Sequence, residues 1–222
     1  RSELIRPGTH LRCSMATRLR LMTADKVRLD GCHWPQHNGG QIDAGQSVDS
    51  LAIVIAHGFT GSWQRPAIGL AADVLRRYGD VFAFDFRGHG GSAGRSTVGD
   101  LEVIDMDAVV RRARDSGRAR VATVGFSMGA SVVLRHAALH RGVDAAVSVS
   151  GPGRWFYRGT RPMRRAHWVI ERRAGRAVAR LVLRTKIASS RWDPLPVSPT
   201  EAAAKIAPTP LLVVHGEQDR YF

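Results

Sequence analysis

Residues 125–129 read Gly-Phe-Ser-Met-Gly and lie between an apolar strand-like run, Arg120 to Val124, and a helix-like run, Ala130 to His140. A Gly-x-Ser-x-Gly segment in that setting is a strand-to-helix turn of the nucleophile-elbow type. The turn is so tight that Ser127 is expected in a strained backbone conformation, its hydroxyl pushed out at the end of the strand. Gly125 and Gly129 are required because a Cβ at either place would collide with the neighbouring strand or helix. The start of the helix brings amide N–H groups and the positive end of its dipole beside that hydroxyl, where an oxyanion would form. The bare pattern also arises in ordinary glycine-rich turns; its place between strand and helix favours the elbow.

The rest of the chain has to supply a sheet for this turn. Leu51 to Ala56 is a continuous apolar run, as expected of a strand buried on both faces. It ends in His57-Gly58-Phe59-Thr60-Gly61-Ser62. Residues 65–78 have helical spacing, with Ile68, Leu70, Ala71, Val74 and Leu75 as the buried face. Val81 to Phe86 is a second buried strand and runs into the glycine-rich turn Arg87 to Ser92. Asp100 to Arg114 is helical, with Leu101, Ile104, Met106, Ala108 and Val109 apolar. Val143 to Val149 and Pro210 to His215 read as further strands. Lys26 to Trp34 alternates around Asp30-Gly31, a hairpin signal, and 35–50 read as a loop. Alternating strands and helices predict an α/β fold: a mostly parallel, doubly wound sheet with helices on both faces. In such sheets ligands bind beyond the C-terminal ends of the strands. The segments after Ala56 and Phe86, at Ser127, and after Val214 all fall at such ends.

Residues 152–207 break this rhythm. Trp155, Phe156, Tyr157, Trp168 and Trp192 gather there among many arginines. Arg164 to Leu183 has helical spacing, with Ile170, Ala174, Ala177, Val178 and Leu181 on one face. The stretch reads as a lid or cap inserted after the sixth strand, or else as a connecting helix whose aromatics pack onto the core. The expected division is therefore a tail over 1–25, a core over 26–151, the insertion over 152–207 and a returning core strand over 208–222. The tail starts at Arg1; Met15 or Met22 could be the natural start, with the residues before it not native.

The formal charge of +14 is carried mainly by arginine in the N-terminal tail and in 154–191. Without a recognised nucleic-acid motif it reads first as solvated faces, and no nucleic-acid partner is expected. Weak contact of the arginine-rich insertion with an anionic membrane is the functional alternative. The two cysteines, Cys13 and Cys32, make neither a disulfide framework nor a CxxC pair, so no metal is expected and a reducing, cytoplasmic setting fits. No apolar run approaches the roughly 18 residues of a membrane span, and the first 25 residues lack a signal-peptide core.

Four segments together resemble the α/β-hydrolase superfamily: His57-Gly58-Phe59, Asp85 to Ser92, Gly125 to Gly129, and His215-Gly216-Glu217-Gln218-Asp219. They occur in that family's order over roughly residues 26–222. The resemblance implies a serine esterase-, lipase- or thioesterase-like enzyme with no cofactor, acting on a small ester or lipid-like substrate. It implies Ser127 as nucleophile, the Phe59 and Met128 amides as the oxyanion hole, and Asp219 as the acid that orients a catalytic imidazole. Glu217 is a weaker choice of acid, and Asp219 could instead cap a turn. His57 is expected to support the oxyanion loop, and Asp85, Arg87 and His89 a structural turn. His136, His140 and His167 fall in helices and read as surface or packing residues.

The pattern breaks at one point. The family's order is serine, acid, histidine, yet none of the nine histidines follows Asp219. The expectation is that the catalytic His, with the last strand and helix of the fold, is missing from this sequence because it is a piece of a longer protein. A substitute base (His57 or His89) or a non-catalytic binding domain remain as alternatives. Serine at the elbow argues against dehalogenases and epoxide hydrolases, whose nucleophile is aspartate. A peptidase or a cofactor-free haloperoxidase stays open.

Overall fold

The computed structural model describes residues 16–37 and 51–222. Its strands are β1 (Thr17–Met22), β2 (Arg28–Trp34), β3 (Leu51–Ala56), β4 (Asp80–Phe84), β5 (Arg120–Phe126), β6 (Ala145–Val149) and β7 (Leu211–Val214). The helices are α1 (Pro66–Leu75), α2 (Glu102–Arg114), α3 (Met128–His140), α4 (Arg161–Glu171), α5 (Arg173–Leu181) and α6 (Pro199–Ala203). The strands form one sheet in the order β1-β2-β4-β3-β5-β6-β7. β1, β2 and β4 pair antiparallel, and β4, β3, β5, β6 and β7 run parallel.

Period-two alternation divides β3 between two cores. Ala52, Val54 and Ala56 join Phe82 and Phe84 beneath Met106, Val109, Val132 and Val133 of α2 and α3. Ile53 and Ile55 join Val81 and Ala83 on the opposite face, against Ile68 and Ala72 of α1. Helices thus cover both faces, as the unbroken apolar run of β3 requires. Among the described residues no helix is long and apolar enough to cross a membrane.

Three local expectations are corrected. The hairpin turn is at Thr23 to Lys26, where Lys26 N–H and Thr23 C=O bond at 3.0 Å, and not at Asp30-Gly31. Those two residues sit inside β2, where a Cβ on Gly31 would stand 2.6 Å from the Ala83 carbonyl oxygen. The glycine signalled close strand approach rather than a turn. In α1 only Ile68 and Ala72 are buried, while Leu70 and Val74 are exposed. The predicted helix over 164–183 is two helices, broken at Arg172 in extended geometry. α5 folds back against α4 so closely that a Cβ on Gly175 would stand 2.4 Å from the Trp168 carbonyl oxygen. The packed positions of α5 are accordingly Gly175 and Ala179; the expected apolar face, with Val178 and Leu181, is exposed.

Residues 152–207 are tied to the rest of the fold at their aromatic end. Trp155 packs at a tilt against Trp192 with ring centroids 5.0 Å apart, and Trp192 Nε1 donates to the Thr97 carbonyl at 2.7 Å. Phe156 and Trp168 remain about half exposed.

Candidate active site

Ser127 joins β5 to α3 with φ 52° and ψ −114°. A non-glycine residue held there costs about 1–3 kcal/mol, so its surroundings must impose it. Its N–H donates to Val149 C=O of β6 at 2.9 Å, and its own carbonyl accepts from Ala130 and Ser131 N–H at 3.0 and 3.3 Å. A Cβ on Gly125 would meet the Gly129 carbonyl oxygen at 2.3 Å, and one on Gly129 would meet that of Ala56 at 2.3 Å. Both glycines are therefore demanded by backbone approach, as the sequence implied.

Register sets what faces Ser127. Ala56, the last residue of β3, pairs with Gly125, so the loop that begins at His57 emerges beside the elbow. A Cβ on Gly58 would stand 3.2 Å from Ser127 Cβ and 3.8 Å from its Oγ. Phe59 follows in this loop, and Met128 opens α3. Among the described residues the backbone N–H of neither has a hydrogen-bond acceptor. Two unengaged amides thus lie in the segments that adjoin the half-buried Ser127.

Two buried histidines brace the loop. His57 Nε2 accepts the Phe86 N–H at 3.1 Å, so its proton lies on Nδ1 and is donated to Gly58 C=O at 2.7 Å. Burial and the adjacent His89 push its pKa down to about 3, and the ring stays neutral. His89 Nε2 accepts the Thr60 N–H at 3.3 Å, and its Nδ1 donates to Arg87 C=O at 3.1 Å. Burial also lowers the His89 pKa. Both nitrogens of each ring are occupied, so neither ring has one to offer Ser127. The segment after β4 is a structural turn: Asp85 accepts from Trp63 and Gly91 N–H at 2.9 and 2.8 Å. Arg87 bonds Asp105 at 2.7 and 2.9 Å and Asp25 at 2.7 and 3.0 Å.

Phe126, Val149 and Val214 share one register across β5, β6 and β7. Ser127 and His215 therefore leave the sheet on the same edge, two strands apart, or about 10 Å. Asp219 lies in the turn after β7. Its Oδ1 accepts the Tyr221 N–H at 2.7 Å and the Phe222 N–H at 3.4 Å, and Oδ2 is 3.5 Å from His215 Nε2. The Tyr221 amide is the first cause that holds this carboxylate below its ordinary range. Asp219 thus caps the turn after β7, and the same contacts keep the group ionised. Glu217 is exposed. Two cavities of about 390 Å³ each are lined by arginines of residues 152–191, such as Arg161 and Arg176, and not by Ser127.

One grouping lay outside the sequence reading. His136 of α3 is fully buried, and beside it lie His140 and Asp107. The i,i+4 spacing of the two histidines on one helix was the available signal.

A strained serine at a strand-to-helix turn of a doubly wound sheet, with two unengaged amides in the adjoining segments, defines the α/β-hydrolase class. The chain belongs to the alpha/beta hydrolase family, whose sequence model matches residues 53–222. No curated protein sequence matches it significantly. Among solved structures it is similar to the Pyrococcus furiosus esterase Pf2001, at 24% identity over 99% of this chain and 77% of that one, with a TM-score of 0.69. It is also similar to Est1E of Butyrivibrio proteoclasticus, solved with ferulic acid bound, at 20% identity over 91% and 80% of the two chains and a TM-score of 0.57. XC6422 of Xanthomonas campestris, described as a serine hydrolase without a lid, is similar at 20% identity over 94% and 87%, with a TM-score of 0.58.

Proposed function

We propose that this hydrolase cleaves a carboxylic ester or thioester through an acyl-enzyme on Ser127. The observation that carries this reading is the pairing of the strained Ser127 with the unengaged Phe59 and Met128 amides. In the proposed reaction Ser127 Oγ attacks the acyl carbon and a histidine base takes its proton. The two amides hold the oxyanion, the alcohol or thiol leaves with that proton, and water repeats the sequence to release the acid. The base is a histidine other than His57 and His89, oriented by Asp219. This assignment rests on the engaged nitrogens of His57 and His89. Residues 152–207 act as a lid, and their exposed apolar side chains favour an apolar acyl group.

The test is to treat the natural protein with a fluorophosphonate and measure its intact mass. One adduct, lost in Ser127→Ala but kept in His215→Ala, supports the assignment. Labelling that survives Ser127→Ala, or no labelling, overturns it; loss in His215→Ala would transfer the base to that residue.

A further inference from the structure

The most informative feature outside the elbow lies at the far end of α3. His136 and His140 are one turn apart on that helix, and Asp107 faces both from α2. His136 has a side chain only 1% exposed, and neither of its ring nitrogens has a hydrogen-bond partner. A buried imidazole left unsatisfied is costly unless something else takes up its lone pair. Its Nε2 faces Asp107 Oδ1 at 3.7 Å, and His140 Nδ1 faces the same oxygen at 3.6 Å. Both separations are too long for hydrogen bonds. The three ligand atoms lie within 4.8 Å of one another.

We propose that Asp107, His136 and His140 bind a divalent zinc-type cation that clamps α2 to α3. With bonds of about 2.0–2.1 Å, tetrahedral ligand atoms stand about 3.3 Å apart. The two gaps to Asp107 Oδ1 need to close by a few tenths of an ångström, and the two imidazole nitrogens, within 4.8 Å of each other, by up to about 1.5 Å, which a change of histidine rotamer supplies. Two imidazoles and one carboxylate suit zinc among the common divalent ions, and the partly exposed His140 leaves a path for entry and for a water as fourth ligand. Arg111 bonds Asp107 Oδ2 at 2.7 Å and so leaves Oδ1 to the metal, the outer contact that orients a ligating carboxylate. The last turn of α3 adds the negative end of its dipole. Met128 opens the same helix, about 12–18 Å away at 1.5 Å per residue, so the ion holds the helix that carries the elbow and takes no part in the acyl chemistry.

The experiment is titration of tag-free, metal-depleted protein with Co2+ alone, read by visible absorption, and with Zn2+ alone, read by thermal unfolding. The expected result is one equivalent of Co2+ with the intense band of a tetrahedral site, and a Tm raised by more than about 3 °C with Zn2+. His140→Ala, at a partly exposed position that leaves the fold intact by circular dichroism, should lose both. Asp107→Asn should weaken Co2+ binding at least about 10-fold. Absence of the band in the parent protein, or a band that persists in folded His140→Ala, would overturn the proposal. Neither readout depends on hydrolase activity.

Discussion

At Ser127 the chain holds a side-chain-bearing residue at φ 52°, a geometry that glycine tolerates better. Ser127→Gly is therefore expected to abolish turnover and yet raise stability by about 1 kcal/mol, since released strain exceeds the added chain entropy. Urea unfolding would check this; a destabilised variant would mean the conformation is not strained. His89 acts through the loop, because its Nε2 holds the Thr60 amide next to Phe59. His89→Ala should lower kcat about 10-fold to 10²-fold with a smaller change in KM, as expected when an oxyanion donor is misplaced rather than deleted. The same histidines set the acid response. An unfolded His57 titrates near 6.5 and the folded one near 3, so the unfolded state binds more protons between those values. Its contribution, on the order of 4 kcal/mol, is complete above pH 6.5 and lost as pH falls towards 3. His89 works in the same direction. Burial first of all raises Asp105 to about 7 against the pull of Arg87, which opposes them by one proton between pH 4 and 7. The net expectation is a loss of stability as pH falls from 6 to 5, in the direction that His57 and His89 set together. Denaturant melts at those two values would show it, and a rise on acidification would contradict the assignment.

At the level of elements, α3 is held to the sheet by contacts that admit no side chain at Gly129. Gly129→Ala places a methyl 2.3 Å from the Ala56 carbonyl oxygen and should cost about 2–3 kcal/mol, visible as a lower urea midpoint at unchanged m-value. The α4–α5 pair behaves differently. It is anchored through Trp155 and Trp192, while Val178, Leu181 and Val182 are exposed. Replacing residues 161–182 by a short linker should leave the core folded and change acyl chain-length preference across a series of p-nitrophenyl esters. An unchanged preference would remove the lid reading. Periodicity alone located these helices, but it could not show that α5 folds back on α4. Gly175, the residue that permits the approach, looks in sequence like a simple weak point in a helix.

For the whole molecule, the arginines of α4 and α5 sit on the same exposed segment as Trp168, Val178 and Leu181. A basic surface studded with apolar side chains suits an anionic lipid interface, where a lipid-like ester would be met. Binding to phosphatidylglycerol vesicles is expected at low ionic strength and should fall away by about 0.5 M salt. Equal binding to neutral vesicles, or none, would reduce the charge to solvation. At β7, Leu212, Val213 and Val214 are all exposed.

The strand-to-helix order, the elbow at Ser127 and the two-faced burial of β3 were legible in the chain. Each is a local pattern whose period or glycine placement admits few geometries. The turn at residues 23–26, the fold-back of α5 and the exposure of Leu70 were not legible. They depend on which backbone passes within van der Waals distance of another, and spacing carries no record of that. The roles of His57 and His89 needed the fold as well, because their protonation follows from burial and from amide donors 29 residues away in sequence. Asp107, His136 and His140 make the same point: the helix supplies the spacing of the two histidines, but only the packing of α2 on α3 sets a carboxylate between them.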